Sequence, residues 1–343
     1  MILNAFALTS LFVGIISLVL ILTAAVAAAG SRRELRISKG SDARARAEDR
    51  IHLCLLLLFT AFLLRLMSWP LFYMLLHSLI PLVPGAMCIF GVTRVMPGFV
   101  AFLQVLKPLA FFLIGGWLIF YRLDLDLKRR FLIGKGVKFL LVASAVALVD
   151  TVAELLFVFL FTPPGVAVSC CTAVGDLAIP PAPLLPIPLF GARYEHMLLV
   201  LYHCFNLGII AVIGFLLWKK PAGRLPFNLV VLSTFMNGAI SYGAFKECLG
   251  PHLMRLPDHH CLYCLLQYRP ISVLILGFFI LGSFFAVWPF LLRRAVGSDD
   301  VGDRLILLNL NLLKYALVFL LASWFLTLLG ILGVGPTEVL QTK

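Results

Sequence analysis

Residues 257 to 270 read PDHHCLYCLLQYRP. His259, His260, Cys261 and Cys264 fall within six positions of one another. A Cys-x-x-Cys pair can close a small disulfide ring with little backbone movement, and positive charge beside its first thiol favours the reactive thiolate. His259 and His260 can supply that charge when protonated, and Arg269 lies just beyond. The same four residues are soft or borderline ligands for copper(I), zinc or a mercury-type ion. Against that reading, adjacent histidines point in different directions in a regular element, and zinc modules usually bring two well-spaced ligand pairs. Cys170 and Cys171 form a second thiol pair, suited to relay electrons or to hold a soft ion. Met87–Cys88 also fits copper(I). A structural role is the third possibility, with disulfides such as Cys88 to Cys248 stapling loops; neighbouring cysteines serve poorly as long-range staples.

The elements that position these residues are set by the solvent. The chain is 343 residues long, 62% hydrophobic and 13% charged, with a mean hydropathy of +1.05. A water-soluble domain of this length has no use for so much apolar surface. Apolar runs of about 20 residues recur, each long enough to cross a bilayer as a helix. The expected fold is therefore all-α, a polytopic membrane bundle of about eight spans near 2–29, 51–78, 101–121, 139–162, 197–218, 227–246, 271–292 and 306–334. It is read as a single membrane domain over 1–343. Within it, three related hairpins, 51–121, 139–218 and 227–292, carry cysteine-bearing loops. The N-terminal stretch MILNAFALTS has no basic residue, and the apolar run after it is long for a signal peptide, so the first span is read as uncleaved.

Alternate loops are basic. Four of them hold 19 of the 28 lysines and arginines, and the opposite set with the C-terminal tail holds five. The positive-inside rule then puts both termini outside the cytoplasm. The net charge of +12 marks inner loops and does not point to nucleic acid. Six of the eight cysteines, Cys88, Cys170, Cys171, Cys248, Cys261 and Cys264, fall in loops assigned to the outside. Thiols there oxidise unless they carry metal or are cycled. The expected location is a prokaryotic inner membrane. The proline-rich loop at 163–196 is apolar enough to fold back on the bundle mouth.

The segment CLYCLLQYRPISVLILGFFILG resembles the quinone-linked disulfide-forming membrane oxidoreductases of the DsbB type. In that family an outer Cys-x-x-Cys leads into a helix, with an aromatic residue and an arginine shortly after. Cys261, Cys264, Tyr268 and Arg269 match those pieces. The resemblance implies a quinone cofactor near Arg269 and Tyr268, and an extracytoplasmic thiol protein as partner. It covers about a dozen residues. Arg269 is one position further from the second cysteine than in the family pattern, there are eight spans where the family has four, and the second cysteine pair stands elsewhere.

Ionisable residues inside the spans are Arg65, Lys107, Asp150, Glu154 and Lys314. Each costs roughly 3 kcal/mol at the bilayer centre by insertion scales, so they should face the bundle and pair. Asp150 and Glu154 are one helical turn apart on one face. Their pairing with Arg65, Lys107 or Lys314 would fix helix packing; the functional alternative is a proton path or a quinone pocket. His77 and His203, both towards outer span ends, are the residues that could clasp a b-type haem. DHHC at 258–261 spells the palmitoyltransferase motif without that family's flanking cysteines and histidines, so the match is accidental. A phosphate-cradling loop and an HExxH motif are both absent.

Three function classes result. First is thiol–disulfide or electron transfer through Cys261 and Cys264, with Cys170 and Cys171 as relay and quinone as acceptor. Second is soft-metal binding or transport through His259, His260, Cys261 and Cys264. Third is a structural or assembly subunit with stapled loops.

Overall fold

In hydrocarbon a backbone must satisfy its own hydrogen bonds, and the apolar runs do so as helices. The computed structural model describes residues 4–37, 41–126, 133–168, 194–219, 225–256, 259–296 and 302–333. Among them the regular structure is helical throughout, with no strand. Seven of the described helices are long and apolar enough to cross a membrane. Their surfaces are inverted relative to a protein in water: Phe12, Val26, Met67, Val105 and Phe235 are about two-thirds exposed or more, while Arg65, Lys107, Asp150 and Glu154 are buried.

The chain divides into two compact units, Met1–Cys170 and Cys171–Lys343. That boundary falls inside the expected hairpin 139–218. Among the described residues, each unit has four long helices with short helical pieces between the second and third.

In the first unit the long helices are α1 (Ala5–Ile37), α2 (Ser41–Ser78), α4 (Pro97–Asp126) and α5 (Ile133–Leu160), with α3 (Ile89–Thr93) as the short piece. Helix α1 packs on α2 and α5, and α4 packs on α5. One apolar cluster, around Phe72, Leu103 and Phe157, fills one end. A second, around Phe62, Trp117 and Leu140, fills the other. Cys88 is buried where α3 begins. The start of the 163–196 loop does fold back: the Val168 N–H donates to the Pro84 carbonyl at 2.9 Å. Gly85 makes this possible. Its φ is +78°, and a Cβ there would lie 2.6 Å from the Val168 carbonyl oxygen.

In the second unit the long helices are α6 (Tyr194–Lys219), α7 (Leu225–Ala244), α10 (Pro270–Val296) and α11 (Gly302–Ile331). Helix α7 runs on through a π-helical turn, Phe245–Leu249, into α8 (Gly250–Met254), and α9 (Leu262–Tyr268) precedes α10. Helix α6 packs on α7 and α11, and α10 packs on α7 and α11.

Helix α7 is the expected span at 227–246, yet it is not among the seven apolar helices. Part of the reason lies in what it buries, beside the exposed Asn228. Thr234, Asn237 and Ser241 recur at helical spacing and are all buried, so polar groups occupy the interior face that apolar residues fill elsewhere. Asn237 donates to the Asn206 carboxamide oxygen at 3.2 Å, and Asn206 donates to Ser241 Oγ at 3.4 Å, joining α7 to α6. Such interhelical bonds hold helices together where lipid offers no hydrophobic drive between them.

Candidate functional site

Two groups of polar residues stand out, one in each unit. In the first, Asp150 and Glu154 on α5 meet both Arg65 on α2 and Lys107 on α4. Arg65 Nη2 is 2.7 Å from Glu154 Oε2 and is also bonded to Asp150. Lys107 Nζ is 2.6 Å from Glu154 Oε2 and 3.3 Å from Asp150 Oδ1. All four side chains are at most 3% exposed. Lys107 also sits over the Phe72 ring at 4.9 Å. Two cations and two anions cancel, which is what lets the set persist away from water. The adjoining cavity, against Trp69 and Phe111, is only about 10 Å³. The fifth expected member, Lys314, is exposed on α11 in the second unit. Its flexible stem allows the ammonium to reach away from apolar surroundings.

The second group lies at one end of the second unit. Cys261 caps the N-terminus of α9 and Cys264 is inside its first turn. Their sulfur atoms lie within 4.8 Å of each other, Cys264 buried and Cys261 half-buried. The imidazoles of His259 and His260 do not join the two thiols in a set of ligand atoms that close. His260 Nδ1 lies 3.2 Å from the Lys246 carbonyl, which ties the segment to the π turn. One helical turn after Cys264, on the same face of α9, comes Tyr268. Arg269 follows as the C-cap, its N–H bonded to the Leu265 carbonyl at 3.0 Å.

Tyr268 and Arg269 line a cavity of about 1050 Å³. Its walls come from four places: the start of α6, the π turn with α8, the junction of α9 and α10, and the last turn of α11. Leu199, Leu253, Ile271 and Ile331 give it apolar sides. Glu195, His196, Glu247, Cys248, His252 and Arg255 give it polar ones. Among the described residues, Arg255 is the non-glycine residue with positive φ, +58°. It ends α8 in the left-handed conformation, its N–H directed at the His252 and Pro251 carbonyls. Such a residue is uncommon outside turns and clusters at functional sites. One turn deeper, Tyr202 Oη bonds Thr327 Oγ1 at 3.2 Å, and Trp324 Nε1 donates to His203 Nδ1 at 3.1 Å.

Cys248 differs from the Cys-x-x-Cys pair. Its thiol donates to the Glu195 carbonyl at 3.4 Å. Burial first, then the Glu195 and Glu247 carboxylates, push it up to about 12. A thiol held protonated that firmly is a poor nucleophile at neutral pH.

Of the residues singled out in the sequence, Cys261, Cys264, Tyr268 and Arg269 thus share one stretch beside the cavity. Cys170 and Cys171 lie outside the described residues. His77 is exposed at the end of α2, and His203 is engaged by Trp324. Glu195, His196, Glu247, His252 and Arg255 carry no motif and converge only in the fold. The chain matches no family model, no curated protein and no solved structure.

Proposed function

We propose that this membrane protein moves an electron pair between thiols and a quinone through Cys261 and Cys264. The observation that carries the reading is placement. Two thiols lie within 4.8 Å of each other, and Cys264 stands about one helical turn before Tyr268 and Arg269, which line a cavity large enough for a drug-sized ring compound. In one half-reaction a partner dithiol reduces the Cys261–Cys264 disulfide and becomes a disulfide itself. In the other, the two thiols give two electrons and two protons to the quinone, the disulfide re-forms, and hydroquinone leaves. Arg269 offers donors to a quinone oxygen whose charge grows during reduction, and Tyr268 offers a ring face. The remaining assignments belong to the same proposal: eight spans in a prokaryotic inner membrane, both termini and the cysteine loops outside, an extracytoplasmic thiol protein as partner.

The test uses full-length protein in lipid nanodiscs. After reduction and removal of excess thiol, decylubiquinone should be reduced with one quinone consumed per Cys261–Cys264 pair. Cys261→Ser and Cys264→Ser should each abolish the turnover while leaving the thermal melt in place. Quinone reduction that survives both substitutions refutes the assignment. Stoichiometric zinc or copper(I) that shields both thiols from alkylation would move the reading to a soft-metal site.

A further inference from the structure

We infer that Glu247 is the residue that passes protons to the acceptor in the second unit's cavity, a role that rests on the thiol-to-quinone reading. Glu247 lines the cavity yet is only 6% exposed. Its Oε1 is buried and makes no hydrogen bond. Lys246 Nζ lies 3.2 Å from that oxygen, outside hydrogen-bonding alignment, and offsets the charge without occupying the acceptor. Glu154 Oε1 in the first unit also makes no hydrogen bond, but its carboxylate is held by Arg65 and Lys107; Glu247 differs in lining an open cavity, and buried acids persist in a bundle built from spans mainly where they pair, bind or transfer something.

The backbone is built to hold it there. Glu247 sits in the π-helical turn Phe245–Leu249, where the Gly250 N–H reaches back to the Phe245 carbonyl. A Cβ at position 250 would lie 2.5 Å from that carbonyl oxygen, so the turn needs glycine. Turns of this kind insert one residue into a helix and are frequent at functional sites. Here the insertion comes where α7 leaves its polar interior and the wall of the cavity begins.

The neighbours leave Glu247 as the buried acid of the site. Helix α6 brings Glu195 and His196, both exposed. Helix α8 brings His252 and Arg255, also exposed. The α9–α10 junction brings Tyr268 and Arg269, and the last turn of α11 brings only Gly330, Ile331, Leu332 and Gly333. Arginine stays charged and cannot hand over a proton under these conditions. The Cys248 thiol stays protonated. His196 and His252 line the same cavity and are exposed.

The step balances. Two S–H bonds break and one S–S bond forms, releasing two protons and two electrons. The quinone takes both electrons, and two O–H bonds form. Glu247 takes up a proton from solvent, delivers it to the quinone oxygen as that oxygen becomes basic, and returns to the carboxylate beside Lys246. General acids placed in this way typically contribute a hundredfold or more.

The experiment uses the nanodisc protein, decylubiquinone and the variants Glu247→Gln and Glu247→Asp. Glutamine keeps the shape and loses the titration. Expected for Glu247→Gln is a drop of about a hundredfold in quinone reduction. Its pH profile should differ from that of the wild type. Expected for Glu247→Asp is partial rescue with the profile restored. A thermal melt unchanged from wild type checks the fold. A Glu247→Gln protein that reduces quinone with the wild-type rate and pH profile overturns the role of Glu247 and leaves the thiol–quinone reading intact. Wild-type protein that fails to reduce quinone overturns both.

Discussion

The first unit pairs its buried charges with one another; the second has charges facing a space. Both run two long helices, short helical pieces, then two more long helices. Yet the first buries Arg65, Lys107, Asp150 and Glu154 in mutual contact beside a cavity of about 10 Å³, and the second surrounds about 1050 Å³ with acids, histidines and arginines. Deep in its interior the second unit uses neutral amides and hydroxyls, Asn206, Asn237, Ser241, Tyr202 and Thr327. The contrast separates two uses of polarity inside a membrane. Charges matched to charges lock helices together. Charges that line an open cavity remain available to a ligand.

Four experiments sharpen or break this contrast. The largest effect is expected in the first unit. Lys107→Met leaves a net negative charge buried and should destabilise the unit by about 3–5 kcal/mol, read from denaturation in detergent. The paired change Lys107→Met with Glu154→Leu restores neutrality and should recover most of that loss; failure to recover would mean the set is not acting as a balanced lock. Next comes thiol reactivity in the second unit. With its pKa pushed up to about 12 from an ordinary 9.0, Cys248 at pH 8 should alkylate about a thousandfold more slowly than an unperturbed thiol. The sign for stability follows. The folded state keeps this proton where the unfolded chain loses it, so the contribution is fully present below about pH 9 and is lost as pH rises through about 12. Rapid labelling of Cys248 at neutral pH would contradict the burial that closes this side of the cavity.

Smaller effects test the wall and the interior of the second unit. Gly250→Ala forces a methyl against the Phe245 carbonyl and should cost about 1–3 kcal/mol. It should also impair quinone reduction more than Asn206→Ala does, because it disturbs the turn that carries Glu247. Asn206→Ala removes bonds between α6 and α7 and should cost only about 0.6–2 kcal/mol. A loss as large as that of Lys107→Met would erase the distinction between the two interiors.

How much of this could be read from the residues alone follows from the range of each interaction. Helices follow from apolar runs, a local signal, and α7 was legible as a helix even though its buried Asn237 and Ser241 dilute it. That Asp150 and Glu154 share one face follows from a spacing of four. Their partners were narrowed to three cations, and packing brings in Arg65 and Lys107 while Lys314 lies exposed on another helix. Cys261, Cys264, Tyr268 and Arg269 were legible because one short helix carries them. Glu247 was not. FKECL reads as a helix end, and its π register depends on the approach of Gly250 to Phe245. His196 and His252 are 56 positions apart in the chain and meet only once α6 and α8 are in place.

The charged quartet also has a history within each molecule's synthesis. Arg65 enters on α2 and Lys107 on α4, but both of their counter-ions arrive on α5, 85 and 43 residues later for Asp150. Until the ribosome has delivered that last helix, the insertion machinery must hold two unneutralised cations at a cost of roughly 3 kcal/mol each. The first half of the protein is thus a latch that cannot click shut until its final segment is threaded, and a nascent chain stalled before residue 150 presents quality control with two exposed positive charges.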